Sequence, residues 1–88
     1  MKAHELLKEE SNWCRQAYAR DRSGRHIQPD DPEAVRWCLV GAIHRCYGYG
    51  NESLKILNRL GFERPAHWND SPKRRFQEVR ELLLRLDV

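Results

Sequence analysis

The stretch that most constrains the fold is residues 32–47, because a helix built from it would be apolar around more than half of its circumference. Its apolar stripe recurs at helical spacing through Val35, Cys38, Leu39, Ala42 and Cys46. A helix with so wide an apolar surface cannot lie with one side in water, so other elements must cover it on at least two sides. We therefore predict that residues 32–47 form the central helix of the core, the second helix of the chain.

Residues within and around this helix indicate where it begins, where it ends and what approaches it. Asp31 can cap its N-terminus and Pro32 suits its first position, while Gly48 and Gly50 are expected to stop it. Gly41 lies in its middle, where glycine costs roughly 1 kcal/mol relative to alanine. Gly41 is therefore expected to admit the close approach of a neighbouring backbone or ring.

The size and composition of the chain indicate one small domain. Its 88 residues, 40% hydrophobic and 33% charged, are typical of a globular domain with a single core. The formal net charge of +3 is a smaller excess than nucleic-acid-binding domains usually carry. The longest apolar run, residues 37–43, is far shorter than the roughly 20 residues of a membrane span, and the charged N-terminus is unlike a signal peptide. We therefore expect a single cytoplasmic domain over residues 1–88 that does not enter a membrane.

The three cysteines are expected to be buried, reduced thiols. Cys14, Cys38 and Cys46 are an odd number without a CxxC pair, which argues against a disulfide framework. Cys38 and Cys46 would lie about 12 Å apart along one helix, which is too far for two ligands of one zinc ion. We therefore predict no metal site and no cofactor.

The segment before the central helix carries the signature of a β-hairpin. Residues 21–24, Asp-Arg-Ser-Gly, are typical of a type I turn followed by a glycine at positive φ. The flanking residues 13–20 and 25–28 would be its strands. One face of this hairpin is expected to pack on the central helix, because an isolated hairpin is only marginally stable in water.

Two further helices and a loop are predicted on either side of these elements. The first helix covers residues 2–11 and ends where Asn12 takes a left-handed conformation, although a continuation through Trp13 would also fit a helical face. The third helix covers residues 51–60, and residues 63–70 are expected to form a loop or an extended stretch. The inward residues of the third helix are expected to be Leu54, Leu57 and Leu60.

The start of the fourth helix is open between two patterns. If Ser71 caps it and Pro72 is its first residue, the cations at 73–75 occupy its first turn, where the helix dipole disfavours them. If it begins near Phe76, Glu78 lies in its first turn and the cations lie in a loop. In either case we predict a small, mainly helical α+β domain. Its four helices surround the central second helix, with one β-hairpin between helices one and two.

An ordered set of residues gives the chain a family resemblance over nearly its whole length. These residues are Trp13, Cys14, Ala17, Tyr18, Ala19, Arg20, Asp21, Gly24, Pro32, Ala34, Val35, Arg36, Trp37, Cys38, Gly41, Ala42, Trp68, Asn69, Asp70, Glu78 and Val79. In them the chain resembles a family of small uncharacterised bacterial and phage proteins that is catalogued as a domain of unknown function. Members of that family usually carry Gly where this chain has Asn12, and Thr where it has Arg75. The resemblance implies no activity, substrate or cofactor. We interpret its most specific residues as structural: Trp13, Gly24, Cys38, Gly41, Trp68, Asn69 and Asp70.

A cysteine-dependent hydrolase can be drawn from residues of this chain. Cys38 would be its nucleophile, with His44 or His67 as the base and Asn69 or Asp70 as the orienting group. Such a site needs an exposed thiol of low pKa within about 3 Å of its base, whereas Cys38 lies on the apolar stripe. Asn69 and Asp70 are better explained as turn and cap residues before a helix. We therefore predict that the chain is not an enzyme.

Two clusters of basic residues form the candidate binding surface: Arg15, Arg20, Arg22, Arg25, Lys73, Arg74 and Arg75. Arginine suits bidentate contacts with phosphate or carboxylate, although a solvated surface is the ordinary explanation of such clusters. Phosphate contacts alone would give weak, salt-sensitive nucleic-acid binding without sequence preference. The tryptophans at 13, 37 and 68 could stack on bases, but in so small a domain they are expected to cover the ends of the core.

These patterns favour a non-enzymatic binding or adaptor module that acts on a protein partner. Weak nucleic-acid binding through the arginine clusters is the alternative. The cysteine-dependent hydrolase is a distant third.

Overall fold

A computed structural model describes all 88 residues, and α-helices supply most of the regular structure. The elements in chain order are α1 (Ala3–Leu6), β1 (Ala19–Arg20), β2 (Arg36–Trp37), α2 (Leu39–Tyr47), α3 (Asn51–Arg59), α4 (Pro65–Asp70) and α5 (Phe76–Leu86). A 3-10 turn over Glu10–Asn12 lies between α1 and β1. The α+β class is confirmed, although the domain has five α-helices where four were predicted. None of these helices combines the length and the apolar composition that crossing a membrane requires.

Helix α2 lies at the centre of the core. Its first five residues, Leu39 to Ile43, are all buried, and the side chains of Leu39, Ala42 and Ile43 are completely inaccessible. Helices α1, α3 and α4 and strand β2 all contact it, while α5 packs against α1. An apolar helix covered on several sides is the arrangement that its wide apolar surface requires. Gly48, at a φ of 85°, ends the helix as predicted.

The predicted start of the central helix was wrong by about two turns. Asp31 caps only a single turn, in which its Oδ1 accepts a hydrogen bond from Glu33 N at 2.8 Å. The backbone then extends and pairs as β2, and Cys38 becomes the N-cap of α2. Val35 is consequently exposed and does not belong to the buried stripe. Pairing with a strand distant in sequence outweighed the local helical pattern over these residues.

The predicted hairpin turn forms, but its two flanks pair with each other over a much shorter stretch than predicted. Gly24 N donates to Asp21 O at 2.9 Å, and Gly24 takes a φ of 87°, as the turn signature indicates. The two flanks are joined next to the turn by an antiparallel bridge between Arg20 and His26, where Ile27 N donates to Ala19 O at 3.1 Å. The regular strand β1 pairs antiparallel with β2, with Ala19 opposite Trp37. The segment between them therefore forms a long connection and not a tight hairpin.

The first helix is shorter than predicted. It ends at Leu6, and Asn12 closes the 3-10 turn without taking a left-handed conformation. Residues 8–10 are all exposed, so continuing the helix through them would bury no apolar surface to stabilise it. The backbone is extended at Trp13, which confirms the predicted break before that residue.

The segment 63–70, predicted as a loop or an extended stretch, contains helix α4, with Pro65 in its first position. In α3, Leu54 is exposed and not inward, because Ser53 takes the buried position and donates through Oγ to Ile43 O at 3.4 Å. Helix α5 begins at Phe76, so the later of its two predicted starts is confirmed. The cations before it therefore lie outside the helix.

Candidate functional site

The side chain of Asn69 joins three segments of the chain in the core. Its Oδ1 accepts hydrogen bonds from Trp13 Nε1 at 2.7 Å and from Leu39 N at 3.0 Å. Its Nδ2 donates to Cys14 O at 3.1 Å and to Asp70 Oδ1 at 3.0 Å. Asn69 is completely buried, and every hydrogen-bonding position of its amide is used. It lies inside α4, so the prediction that it caps a following helix was wrong.

Asp70 holds the segment that precedes β1. Its Oδ1 accepts a hydrogen bond from Gln16 N at 2.8 Å as well as the one from Asn69. Gln16 takes a φ of 63°, a left-handed conformation that is uncommon for a residue with a side chain. Because this backbone conformation is fixed by Asp70, the chain bends at Gln16 and directs the following residues against α2.

Tyr18 is the residue that lies against Gly41. A Cβ atom built on Gly41 would stand 1.8 Å from Tyr18 O, so only glycine leaves room for this backbone. Cys38 N donates to the same carbonyl oxygen at 3.3 Å. The predicted close approach at Gly41 is therefore confirmed. Only the backbone of Tyr18 makes this contact, and the residue as a whole is 53% exposed.

A cleft of about 650 Å³ opens beside Tyr18, and we call it the Tyr18 cleft. Its polar lining consists of Gln16, Tyr18, His26, Gln28, Asp31 and Asp70. Its remaining lining consists of Ala17, Ile27, Ala66 and the buried Cys38. The walls thus come from the bend before β1, from the connection between β1 and β2, and from α4. A volume of several hundred Å³ is that of ordinary small-ligand and side-chain binding sites.

Asp31 and Asp70 supply the two carboxyl groups that line the Tyr18 cleft. Asp31 Oδ1 accepts from Glu33 N, and Asp70 Oδ1 accepts from Gln16 N and Asn69 Nδ2. The Oδ2 atom of each aspartate has no hydrogen-bond partner in the protein, and no lysine or arginine lines the cleft. No three His, Cys, Asp or Glu side chains are grouped as metal ligands.

Cys38 is not placed as a nucleophile. Burial raises the pKa of its thiol to about 12, an effect only partly opposed by the Gly41 N–H that donates to Sγ at 3.3 Å. His44 Nδ1 pairs with Gly48 O at 3.1 Å, and His67 lies in a different groove. Asp70 lines the same cleft as Cys38, but neither histidine is placed there as a base for the sulfur.

The basic residues of the first predicted cluster are largely engaged within the chain. The Arg15 guanidinium stands 4.5 Å from the Trp13 ring centroid, and its Nη2 donates to Arg74 O. Arg20 donates to Gly24 O at 2.7 Å and to Arg15 O at 3.0 Å. Arg25 pairs with Asp21 at 3.1 Å, where backbone N–H groups of Arg25 and Ser23 also hold the pKa of the Asp21 carboxyl below its usual range.

Arg74 is the member of the second cluster whose side chain is held by contacts within the chain. Its guanidinium stacks 3.8 Å from the Trp68 ring centroid, while Nε donates to Trp68 O at 3.0 Å and Nη1 to Glu78 Oε2 at 3.2 Å. The hydrogen bond from Arg15 to Arg74 O joins one residue of each cluster. The side chains of Arg22, Lys73 and Arg75 are exposed and make no salt bridge.

The Tyr18 cleft was not anticipated from the sequence. Its residues come from separate segments, and only Tyr18, Cys38, Asp70 and Ala17 fall among the residues that carry the family resemblance. Tyr18 and Asp70 are polar residues next to residues with structural roles. That position in the sequence is the one signal that could have pointed to them.

The comparisons with known proteins place the chain in a family without assigning it a function. It has no match among curated proteins or among solved structures. The model of a family described as "Family of unknown function (DUF6197)" matches residues 1–86. Because this match covers all but two of the 88 residues, the chain belongs to that family of unknown function.

Proposed function

We propose that this protein is a non-enzymatic binding or adaptor module that docks a protein partner at the Tyr18 cleft. The observation that carries the proposal is the exposed Tyr18 ring at the edge of a cleft of about 650 Å³, on a backbone held against α2 at Gly41. The raised pKa of Cys38 supports a binding role over a hydrolytic one, because the thiolate is the nucleophilic form.

The Tyr18 cleft has the physical properties of an interface centre. Tyrosine is enriched at protein–protein interfaces and among the residues that carry their binding energy, because it combines a large apolar area with few rotatable bonds. The backbone beneath Tyr18 is fixed by Asp70 at Gln16 and by α2 at Gly41. Ordering this surface when a partner binds would therefore cost little free energy.

The proposed location is the cytoplasm. Cys14 and Cys38 are buried as free thiols, the state that a reducing compartment preserves. A bacterial or phage source is a further expectation, drawn from the family resemblance.

Site-specific photo-crosslinking followed by reconstitution tests the docking proposal. A benzophenone side chain placed at Gln28, which lines the cleft, should capture a partner in the source cell. The same group at the exposed Gln77 on α5 is the control. The captured protein is then purified and its affinity measured against Tyr18→Ala and against Leu54→Ala, which removes an equally exposed side chain on α3.

The two substitutions are expected to have clearly different effects on the affinity of the complex. Tyr18→Ala should weaken the reconstituted complex at least about tenfold, as truncation of an interface anchor does, whereas Leu54→Ala should leave the affinity unchanged. Equal crosslinking from both positions, or a complex indifferent to Tyr18→Ala, would show that the cleft is not the docking site.

Weak nucleic-acid binding is the second candidate function. A shallow groove of about 330 Å³ is lined by Arg15, Arg20 and Arg36 beside Trp13, which supplies the required combination of cations and an aromatic ring. Arg15 and Arg20 each already donate to backbone carbonyl groups of the chain, whereas Arg36 is exposed and forms no salt bridge, so Arg36 is the arginine of this groove most available to phosphate. Absence of binding to single-stranded and duplex DNA and RNA at about 50 mM salt would exclude this function.

A further inference from the structure

We infer that the Tyr18 cleft recognises a lysine or arginine side chain of the protein partner. The inference rests on the proposed function and names the chemical group that the cleft accepts. It is carried by charge complementarity, by the two carboxylates that present unpaired oxygens, and by the exposed aromatic ring beside them.

The charge of the cleft is opposite to that of the protein. The chain carries 16 lysine and arginine residues against 13 aspartate and glutamate residues, yet no basic side chain except His26 lines the cleft. The grooves beside Trp13 and Trp68, by contrast, each contain at least two arginines and a single glutamate. The lining charges therefore favour a cationic side chain in the Tyr18 cleft over those other grooves.

The two aspartates of the cleft are fixed before any ligand arrives. In each, one carboxylate oxygen accepts a backbone hydrogen bond, from Glu33 N to Asp31 and from Gln16 N to Asp70. The Oδ2 atoms are left to accept hydrogen bonds from a ligand. Because the carboxylates are held by the backbone, an ammonium or guanidinium group would order few side chains on binding.

The Tyr18 ring adds a second attraction for the same kind of group. Tyr18 is 53% exposed and lines the same cleft as the two carboxylates, and a cation over a tyrosine face is attracted by the quadrupole of the ring. Arginine side chains already stack in this way on Trp13, Trp37 and Trp68 within the chain. The Tyr18 ring makes no such contact within the protein.

An anionic ligand is disfavoured at the same place, although α2 begins beside the cleft at Cys38. The backbone donors at the start of α2 are used within the protein, since Leu39 N donates to Asn69 Oδ1 at 3.0 Å and Gly41 N donates to Cys38 Sγ at 3.3 Å. An anion would find few free donors there and would face Asp31 and Asp70.

The test uses acetylated and amidated glycine peptides that carry one central arginine, lysine, citrulline or glutamate. Citrulline has the shape of arginine without its charge. Amide resonances of Gln16, Tyr18 and Asp70 are followed by NMR as peptide is added to the millimolar range. The arginine and lysine peptides should shift these resonances along saturable curves, and the citrulline and glutamate peptides should bind at least about tenfold more weakly.

Substitutions then assign the binding to particular groups. Asp31→Asn and Asp70→Asn keep the oxygen that accepts the backbone hydrogen bond, so each should weaken the arginine peptide about threefold without loss of fold. Glu33→Gln makes the same change in net charge outside the cleft and should have no effect. Tyr18→Phe keeps the ring and should retain the affinity, whereas Tyr18→Leu should reduce it.

Failure of this inference is distinguishable from failure of the proposed function. If all four peptides shift the cleft resonances equally, the cleft accepts peptides but does not select cations, and the inference is overturned alone. It is likewise overturned if no peptide shifts them, or if Glu33→Gln weakens binding as much as Asp31→Asn does. The crosslinking and reconstitution decide independently whether a partner docks at the cleft.

Discussion

The carbonyl oxygen of Tyr18 occupies the space that a side chain on Gly41 would need. The ideal Cβ position on Gly41 lies 1.8 Å from that oxygen and 2.8 Å from the carbonyl carbon, far inside van der Waals contact. Since backbone atoms of both segments are involved, no rotation of a flexible side chain can relieve the overlap. The glycine thus couples the central helix to the residue that forms the edge of the cleft.

Gly41→Ala is expected to lower the free energy of unfolding by about 2 kcal/mol, because the overlap costs more than the roughly 1 kcal/mol that alanine gains in helix propensity. Chemical denaturation monitored by circular dichroism measures the change. Gly50→Ala is the matched control, since a Cβ on Gly50 meets nothing within 4 Å. A Gly41→Ala protein as stable as the wild type would show that the Tyr18 segment moves aside without cost.

The features that depend only on residues close together in the sequence were predicted correctly. The turn at 21–24, the end of α2 at Gly48 and the close approach at Gly41 each depend on glycine conformation or on its missing side chain, which can be read from the sequence. Strand β2 could not be read in this way, because its pairing with β1 depends on a partner distant in sequence. Its own residues fit the helical pattern equally well.

The candidate site was less predictable than the fold. Asn69 was recognised as a specific residue, but its partners Trp13, Cys14 and Leu39 lie at least thirty residues away along the chain. The arginine clusters were read as a free surface, whereas carbonyl groups and tryptophan rings engage several of them. A sequence pattern identifies which residue types lie at a surface. Whether the N–H donors of those side chains are free or already hydrogen-bonded depends on tertiary contacts.

Asn69→Ala should be among the most destabilising substitutions in the chain, with an expected loss of about 4 kcal/mol. It would leave Trp13 Nε1, Leu39 N and Cys14 O buried without their partner. Thermal and chemical denaturation provide the measurement. Asn58→Ala, on the exposed face of α3, should change the stability by less than about 0.5 kcal/mol. Similar losses in the two variants would contradict the central role of the Asn69 amide.

Cys38 should make the stability of the protein sensitive to alkaline pH. Its folded pKa of about 12 lies above the ordinary value of 9.0, because burial disfavours the thiolate. The contribution of the protonated Cys38 thiol to the free energy of unfolding is therefore fully present below pH 9. It is lost as the pH rises from 9 toward 12, because in that range the Cys38 thiol ionises readily only in the unfolded chain. At pH 10 the expected loss of unfolding free energy is about 1 kcal/mol relative to neutral pH.

Cys38→Ser isolates this effect, because serine does not titrate there and its hydroxyl can still accept from Gly41 N at the start of α2. Denaturation at pH 7 and pH 10 should show the additional alkaline loss in the wild type only. The other two thiols titrate in both proteins, so their contributions cancel. Identical pH dependence in the two proteins would mean that Cys38 ionises in the folded state as readily as in the unfolded one.

The last prediction concerns the three cations before α5, of which only Arg74 is expected to affect folding. Arg74 stacks on Trp68 and donates to Trp68 O and to Glu78, whereas Lys73 and Arg75 are exposed and form no salt bridge. Arg74→Gln should therefore cost about 1 to 2 kcal/mol, from the lost hydrogen bond and the lost stacking. Lys73→Gln and Arg75→Gln should each change the stability by less than about 0.5 kcal/mol.

Because α5 begins after these cations, phosphate or sulfate should not raise the melting temperature specifically through them. Melting curves of the three single variants and of the triple variant, with and without phosphate, measure these effects. A stabilisation by phosphate that the triple variant loses would instead show that the cations form an anion site.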